Sequence, residues 1–314
     1  MVIKFSYSVA ENTPKGQAAL KFAELVEQKT KQSVKVELFP NGILYNETDE
    51  VQALQNGNVQ MIAPSFSNIS EVDPSWMIFD LPFAFPSDDA VNDAFRGDIG
   101  KRLLASLASK QIVGLAFWNG GFRQITSNKG PIVHPSDLRG QKFRIQPSKV
   151  IEDQYRLFEA KTFSIPFNQI YRSLENGTVD GEENSISNIY SKKMFQVQKY
   201  LTMTNHSYLG YGVLINKTFW DKLPPRIRQS VKEAVDETTE WANRNAVLVN
   251  RSQWQDMQAN SQMQIYRLSK AEREEWRRAF EPVINQYGNV IGVDSMRDLE
   301  QIRLKYADTV PAIQ

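Results

Sequence analysis

Cysteine is missing altogether from the 314-residue chain. Its absence excludes disulfides, thiolate metal sites, cysteine nucleophiles and a lipid-modified N-terminal cysteine, and it leaves the redox compartment open. Histidine is nearly missing. His134 and His206 are too few for a His-rich zinc site and offer just two candidates for histidine acid–base chemistry. Neither sign of charge is in excess, because 37 Lys and Arg face 36 Asp and Glu. A net charge of +1 gives no global field for phosphates or an acidic membrane surface, so nucleic acid is not an expected partner. Long apolar runs are lacking too. The richest stretch, Met77 to Phe85, is broken by Asp80 and Pro82 and closed by Pro86, far short of the roughly 20 apolar residues of a membrane span. No signal peptide is visible, since Val2 to Val9 alternates like a strand directly after Met1. Such a start suits a cytoplasmic protein or a mature exported form with an added Met.

What is present reads as a folded α/β protein. The 41% hydrophobic and 23% charged content is that of a globular chain, and the length suggests two domains. Val2 to Val9 forms a strand, and Asn12-Thr13-Pro14-Lys15-Gly16 then supplies a cap and a proline at the first helical position. Ser33 to Phe39 alternates again, Thr48 to Leu54 is helical, and Val59 to Ala63 is a strand; such alternation implies α/β. Pro64 to Pro86 is punctuated enough to read as a wrapped connection. Ala90 to Leu107 is helical with an interruption at Gly97 to Arg102, Ile112 to Trp118 is a buried strand, and Asn119-Gly120-Gly121 marks a change of direction at a domain crossing. Beyond it, Arg123 to Ser127, Lys142 to Ile145 and Gly212 to Asn216 are strands, and Lys149 to Phe158 and Gln169 to Asn176 are helices. Arg226 to Glu281 contains no Gly or Pro, so its first part is one long helix able to pass between domains. A short strand, Met263 to Leu268, and a helix opened by the capping box Ser269-Lys270-Ala271-Glu272 follow.

Enzyme motifs fail one by one. Gly97-Asp98-Ile99-Gly100-Lys101-Arg102 lacks the first glycine and the Ser/Thr of a phosphate loop, and Gly210-Tyr211-Gly212 lacks the third glycine of a dinucleotide fingerprint. Asp180-Gly181-Glu182-Glu183-Asn184 lacks the ligand spacing of a calcium loop and reads as a solvated turn. His134 sits in an exposed-looking loop, and His206 is expected to make a structural hydrogen bond. Two arginines near the crossing remain: Arg123, and Arg144 between Phe143 and Ile145. A buried guanidinium cannot be neutralised by losing its proton and needs an anion, either an Asp or Glu of the fold or a ligand carboxylate.

Several segments in order resemble the solute-binding proteins of tripartite ATP-independent periplasmic (TRAP) transporters, of the DctP, dicarboxylate-binding type. They are Glu11-Asn12-Thr13-Pro14-Lys15-Gly16, Asp80-Leu81-Pro82-Phe83, Arg123-Gln124, Phe143-Arg144-Ile145-Gln146-Pro147-Ser148, Asp180 to Asn184 with Ser187-Asn188-Ile189-Tyr190-Ser191-Lys192-Lys193, and Met203-Thr204-Asn205-His206. The resemblance implies a two-lobed, periplasmic-binding-protein-like α/β fold with a cleft between lobes and a long hinge-spanning helix. Residues 1–120 plus 209–248 form lobe I in this reading, and 121–208 plus 249–314 form lobe II. It further implies that Arg144 grips a ligand carboxylate, that Asn184 supports it and that Arg123 adds a basic contact. Lys15, in the first turn of the first helix, is placed to meet a second carboxylate. Ser65, Phe167 and Tyr211 line the pocket, with Gln146 and Trp118 as additions. The expected ligand is a four-carbon dicarboxylate captured by lobe closure in the periplasm and handed to TRAP membrane permease subunits by a monomeric, non-enzymatic protein without metal or cofactor. One departure is Glu182, where relatives commonly carry Gln; its carboxylate either faces solvent or alters ligand preference.

Three rival readings stay open at this level: another carboxylate such as an acidic sugar, aromatic or keto acid; an enzyme acting on a small carboxylate with His134 or His206 as base; and a scaffold using the aromatic Trp76 to Phe85 segment as a surface patch.

Overall fold

Thr13 accepts a hydrogen bond from the Gly16 amide and Pro14 occupies the first helical position, so the strand β1 (Val2–Ser6) leads tightly into α1 (Pro14–Lys29). A Cβ at Gly16 would lie 2.3 Å from the Ala10 carbonyl oxygen, which is why this turn carries glycine. The computed structural model describes residues 1–313. Next come β2 (Lys35–Phe39), α2 (Glu50–Gln55), β3 (Met61–Ile62), α3 (Phe66–Ile69), a 3-10 turn over Pro74–Phe79, α4 (Asp88–Arg96), α5 (Asp98–Ser106) and β4 (Ile112–Phe122). The second α/β run comprises β5 (Gln124–Ser127), β6 (Lys142–Ile145), α6 (Lys149–Arg156), β7 (Lys161–Ser164), α7 (Ile170–Glu175), β8 (Gly181–Asn184), α8 (Ile186–Ser191) and β9 (Tyr200–Met203). The chain finishes with β10 (Tyr208–Asn216), α9 (Lys217–Lys222), α10 (Pro225–Asn260), β11 (Gln264–Arg267), α11 (Lys270–Ala279), α12 (Glu281–Ile291) and α13 (Val293–Lys305).

Two sheets result. One has the order β2-β1-β3-β10-β4, parallel through β2, β1 and β3 and antiparallel where β10 meets β3 and β4. The other has the order β11-β9-β5-β8-β6-β7. The backbone passes between them at Arg123, which separates β4 from β5, and again through residues 204–207 between β9 and β10. The 36-residue α10 accompanies both crossings, packing on α1 and β4 at one end and α8 at the other. No helix among the described residues is long and apolar enough to cross a membrane.

The helical stretch over 90–107 is interrupted at its glycines: Gly97 is extended, and a Cβ at Gly100 would sit 2.1 Å from the Phe95 carbonyl oxygen. Three expectations need correction. Asn119-Gly120-Gly121 does not end the strand; β4 runs through it with Gly121 at φ +124° and a register shift against β10. The Trp76 to Phe85 segment is no surface patch. Trp76 and Phe79 are fully buried in an aromatic cluster with Phe66, Phe95 and Phe117, which removes the scaffold reading its apolar face. Asp180 to Asn184 is no solvated turn either, since Gly181–Asn184 forms β8, buried between β5 and β6.

The C-terminal segment also departs from the expected division. α13 lies against α4 and α5, tied by Arg102 to Asp298 at 2.5 Å and Lys305 to Asp93 at 2.7 Å, so residues 293–305 sit on the lobe built by the first half of the chain.

Candidate functional site

β6 carries Arg144 into the space between the sheets, where its side chain is fully buried. Its Nε donates to the Ile165 carbonyl oxygen at 2.8 Å and one terminal nitrogen, Nη2, donates to Glu47 Oε1 at 2.6 Å. Glu47 lies before α2 and belongs to the other lobe, so this ion pair spans the cleft. The second terminal nitrogen, Nη1, is buried and has no hydrogen-bond partner among the described residues. A guanidinium wants a planar bidentate acceptor, and here half of the fork is unused.

Arg123, at the crossing, is equally buried but more fully engaged. It donates to Glu183 Oε1 at 2.7 Å, Ser67 Oγ at 2.9 Å and Gln146 Oε1 at 2.6 Å, with Asp80 at 3.6 Å. Gln146 in turn donates to Ser65 Oγ at 3.0 Å, which links β6's end to the cap of α3 in the other lobe. Asn184 closes β8. Its Nδ2 donates to Glu182 Oε2 at 3.0 Å while its Oδ1 accepts from Asn188 Nδ2 at 2.8 Å, and Asn188 reaches the Tyr211 hydroxyl at 3.5 Å. Lys15 Nζ stands 4.1 Å from the centre of the Tyr211 ring and donates to the Ala63 carbonyl oxygen at 2.9 Å and Ser8 Oγ at 3.3 Å. Phe167 is buried two residues beyond Ile165, with Lys192 Nζ 5.0 Å from its ring centre.

Seven of the expected residues therefore meet in one buried polar layer between the lobes: Arg144, Arg123, Asn184, Lys15, Ser65, Tyr211 and Gln146. Trp118 does not join it. It pairs with Tyr211 across the ladder, but its Nε1 donates to Thr239 of α10 at 3.1 Å and its ring packs on Phe5, so it backs the layer from the helix side. His134 is exposed and lies 2.8 Å from Glu275 on α11. His206 is buried, with Nδ1 2.7 Å from Thr204 Oγ1 and Nε2 3.3 Å from Glu183.

Sequence reasoning missed the acids. Glu47 and Glu50, in Asn46-Glu47-Thr48-Asp49-Glu50, read only as the start of a helix, yet both are buried and face Arg144 and Lys15. The signal was indirect: cations in apolar surroundings demand acids from elsewhere in the chain. Burial governs their protonation. It pushes Glu50 up to about 8, against the opposing pull of Lys15, and Glu182 up to about 7, against the Asn184 hydrogen bond and the charge of Arg144. Asp80 rises to about 6 for the same reason, and the Lys15 ammonium falls to about 8.

Such a layer can grip an anion that offers carboxylate oxygens to Arg144 and Asn184. The comparisons with known proteins agree in kind. The family model described as "Bacterial extracellular solute-binding protein, family 7", DctP, matches residues 5–289. The chain is 48% identical over 303 residues, covering 96% of it and 87% of the relative, to the C4-dicarboxylate-binding protein DctB of Bacillus subtilis. It superposes with a TM-score of 0.94 on a TRAP periplasmic solute-binding protein from Shewanella oneidensis with bound succinate, at 38% identity, covering 96% and 99% of the two chains. It also matches the sugar acid binding protein DctPAm of Advenella mimigardefordensis in complex with galactonate, with a TM-score of 0.93 at 28% identity over 97% and 98% of the chains. A two-lobed α/β frame, a buried arginine layer between the lobes and these matches lead to one assignment: the chain belongs to the DctP family of bacterial extracellular solute-binding proteins.

Proposed function

We propose that this protein captures a four-carbon dicarboxylate outside the cytoplasmic membrane, in the periplasm where one exists, and delivers it to the membrane permease of a TRAP transporter. The observation that carries this reading is Arg144: fully buried, tied across the cleft to Glu47, and with Nη1 free of any partner among the described residues. A ligand carboxylate placed against Nη1, with Asn184 beside it, completes the fork in a low-dielectric setting where charge-assisted hydrogen bonds are strong. Lys15 and Tyr211, on the opposite lobe, face a second carboxylate. Binding and closure are one event, because Glu47, Ser65 and Ser67 meet Arg144, Gln146 and Arg123 only when the lobes approach.

No bond of the ligand is made or broken in this scheme. An enzyme reading would rest on His206, since His134 is on the surface, and His206 is enclosed by Thr204 and Glu183. The test is isothermal calorimetry on protein unfolded and refolded to strip carried-over ligand, titrated with succinate, malate and fumarate and then with galactonate and an aromatic acid. Low-micromolar binding confined to the dicarboxylates, about −8 kcal/mol, is the expected result. Binding only to galactonate or the aromatic acid would move the ligand assignment while keeping the transport role, and no binding to any of them would overturn the proposal.

A further inference from the structure

The charge of the buried layer does not suit a doubly charged guest. Lys15, Arg123 and Arg144 supply three cations, while Glu47, Glu50, Asp80, Glu182 and Glu183 supply five carboxylates, all of them buried. Adding a dianion to that layer with every acid ionised would leave four uncompensated negative charges away from water. Proteins avoid such states by taking up protons.

Three of the five acids stand within 4 Å of an arginine. Glu47 is bonded to Arg144, and Glu183 to Arg123. Asp80 accepts from Ser67 Oγ at 2.7 Å and lies 3.6 Å from Arg123. Glu50 has no hydrogen-bond partner on either oxygen among the described residues and feels Lys15 only through space; burial lifts it to about 8, so it already holds its proton near neutral pH before a ligand arrives. Glu182 differs. Its Oε2 accepts from the neutral Asn184 amide, and its Oε1 is buried with no hydrogen-bond partner among the described residues. Its neighbours across the sheet are Arg144 on β6 and Thr126 on β5, both at its own register, and Tyr155 of α6, Arg123 and Glu183 also act on it electrostatically. Arg144, the one nearby cation on this register, is already shared with Glu47 and, in the reading above, with the ligand.

We propose that Glu182 is a specificity-determining residue that takes up a proton when a dicarboxylate dianion binds, so that the closed complex holds a neutral Glu182 carboxyl. This rests on the dicarboxylate reading. Burial already brings Glu182 close to neutral pH in the free protein, and a bound anion beside Arg144 moves it further in the same direction. Two consequences follow. Dicarboxylate affinity falls as pH rises above about 7, by up to tenfold per pH unit, the limit for uptake of one proton. Discrimination between a dicarboxylate and a monocarboxylate of similar size shrinks over the same range, because the monoanion brings less charge to compensate.

The experiment is calorimetric titration of succinate into the full chain at about pH 7.5 in buffers of different ionisation heat, for wild type and Glu182→Gln. Wild type is expected to take up most of one proton per succinate, and Glu182→Gln to bind succinate with little uptake and a nearly flat affinity from about pH 6 to 8. Equal uptake by wild type and variant, or none by wild type, would overturn the inference while leaving the dicarboxylate reading intact. Absence of succinate, malate and fumarate binding at every pH would take down both. Should Glu182→Gln fail to fold, difference infrared spectroscopy on wild type decides: succinate must bring up a protonated-carboxyl band, and its absence overturns the proposal.

Discussion

At the scale of single residues, the two arginines divide the work. Arg123 is held through both terminal nitrogens by Glu183, Ser67 and Gln146, with only its Nε unpartnered, and ties the crossing together; Arg144 has a terminal nitrogen without a partner among the described residues, which the proposed function gives to a guest. Arg144→Ala leaves a ligand carboxylate and Glu47 buried without a cation, a loss of about 2–5 kcal/mol in binding, or roughly thirtyfold and upward in dissociation constant by calorimetry. Arg144→Lys keeps the charge but not the planar fork, so it should recover only part of that loss. The acids give a second prediction. Asp80 and Glu182 have folded-state values of about 6 and 7, above their ordinary range, because burial disfavours the charged form. Raised values mean that the unfolded chain releases protons first as pH climbs, so stability is full below about pH 4, falls between about 4 and 7, and is lowest above. The ligand-free protein should therefore melt earlier at pH 8 than at pH 5, and Glu182→Gln should narrow the gap by a contribution on the order of 3 kcal/mol. What was legible here was the need of Arg144 for an anion, since an arginine between Phe143 and Ile145 on a strand points to burial. Its protein partner was not legible, because Glu47 lies 97 positions away and nothing local marks it.

At the scale of elements, periodic segments were readable and polar ones were not. Lys142–Ile145, the start of α10 and the Ser269–Glu272 capping box stand where pattern and cap chemistry put them. β8 escaped because Gly-Glu-Glu-Asn carries none of the apolar alternation of a strand; it is held inside by Arg123, by Asn184 and by its ladders to β5 and β6. Tertiary partners override local propensity at such a place. The glycine that opens the strand is tightly enclosed: a Cβ at Gly181 would sit 2.1 Å from the Thr126 carbonyl oxygen and 2.7 Å from the Phe143 ring. Gly181→Ala must push β5 and β8 apart or move Phe143, an overpacking cost of about 1–3 kcal/mol. Urea unfolding should show it as a lower midpoint with an unchanged slope. Because Glu182 and Asn184 ride on the same strand, succinate affinity should fall along with stability, whereas a comparable change in a remote surface helix should spare it.

At the scale of the whole molecule, the question is what holds the two sheets in one closed arrangement, since apolar residues of both contribute to each core cluster. The α/β class and the long helix were visible in the sequence, but the placement of α13 on the first lobe was not, since its docking depends on Arg102 and Asp298 meeting across the length of the chain. The hinge side is stitched by Asn250 of α10, which donates to the Gly120 carbonyl oxygen at 2.8 Å and accepts from the Ser187 amide at 3.0 Å, joining β4 of one lobe to α8 of the other. The mouth side is held by Arg144 with Glu47 and by Gln146 with Ser65. In the closure proposed above the two sides have different roles: the stitched side persists, while the mouth contacts form only on closing, so they set how much of the ligand-free protein is closed. Glu47→Gln weakens a mouth contact and leaves the hinge untouched. Small-angle scattering of ligand-free protein should then give a larger radius of gyration for the variant than for wild type, with both converging near the compact value of about 20 Å once succinate is bound. Identical scattering from the two ligand-free proteins would mean that Glu47 does not help to close the lobes and acts only as a stand-in for the ligand carboxylate on Arg144, in which case the variant should instead bind succinate more tightly.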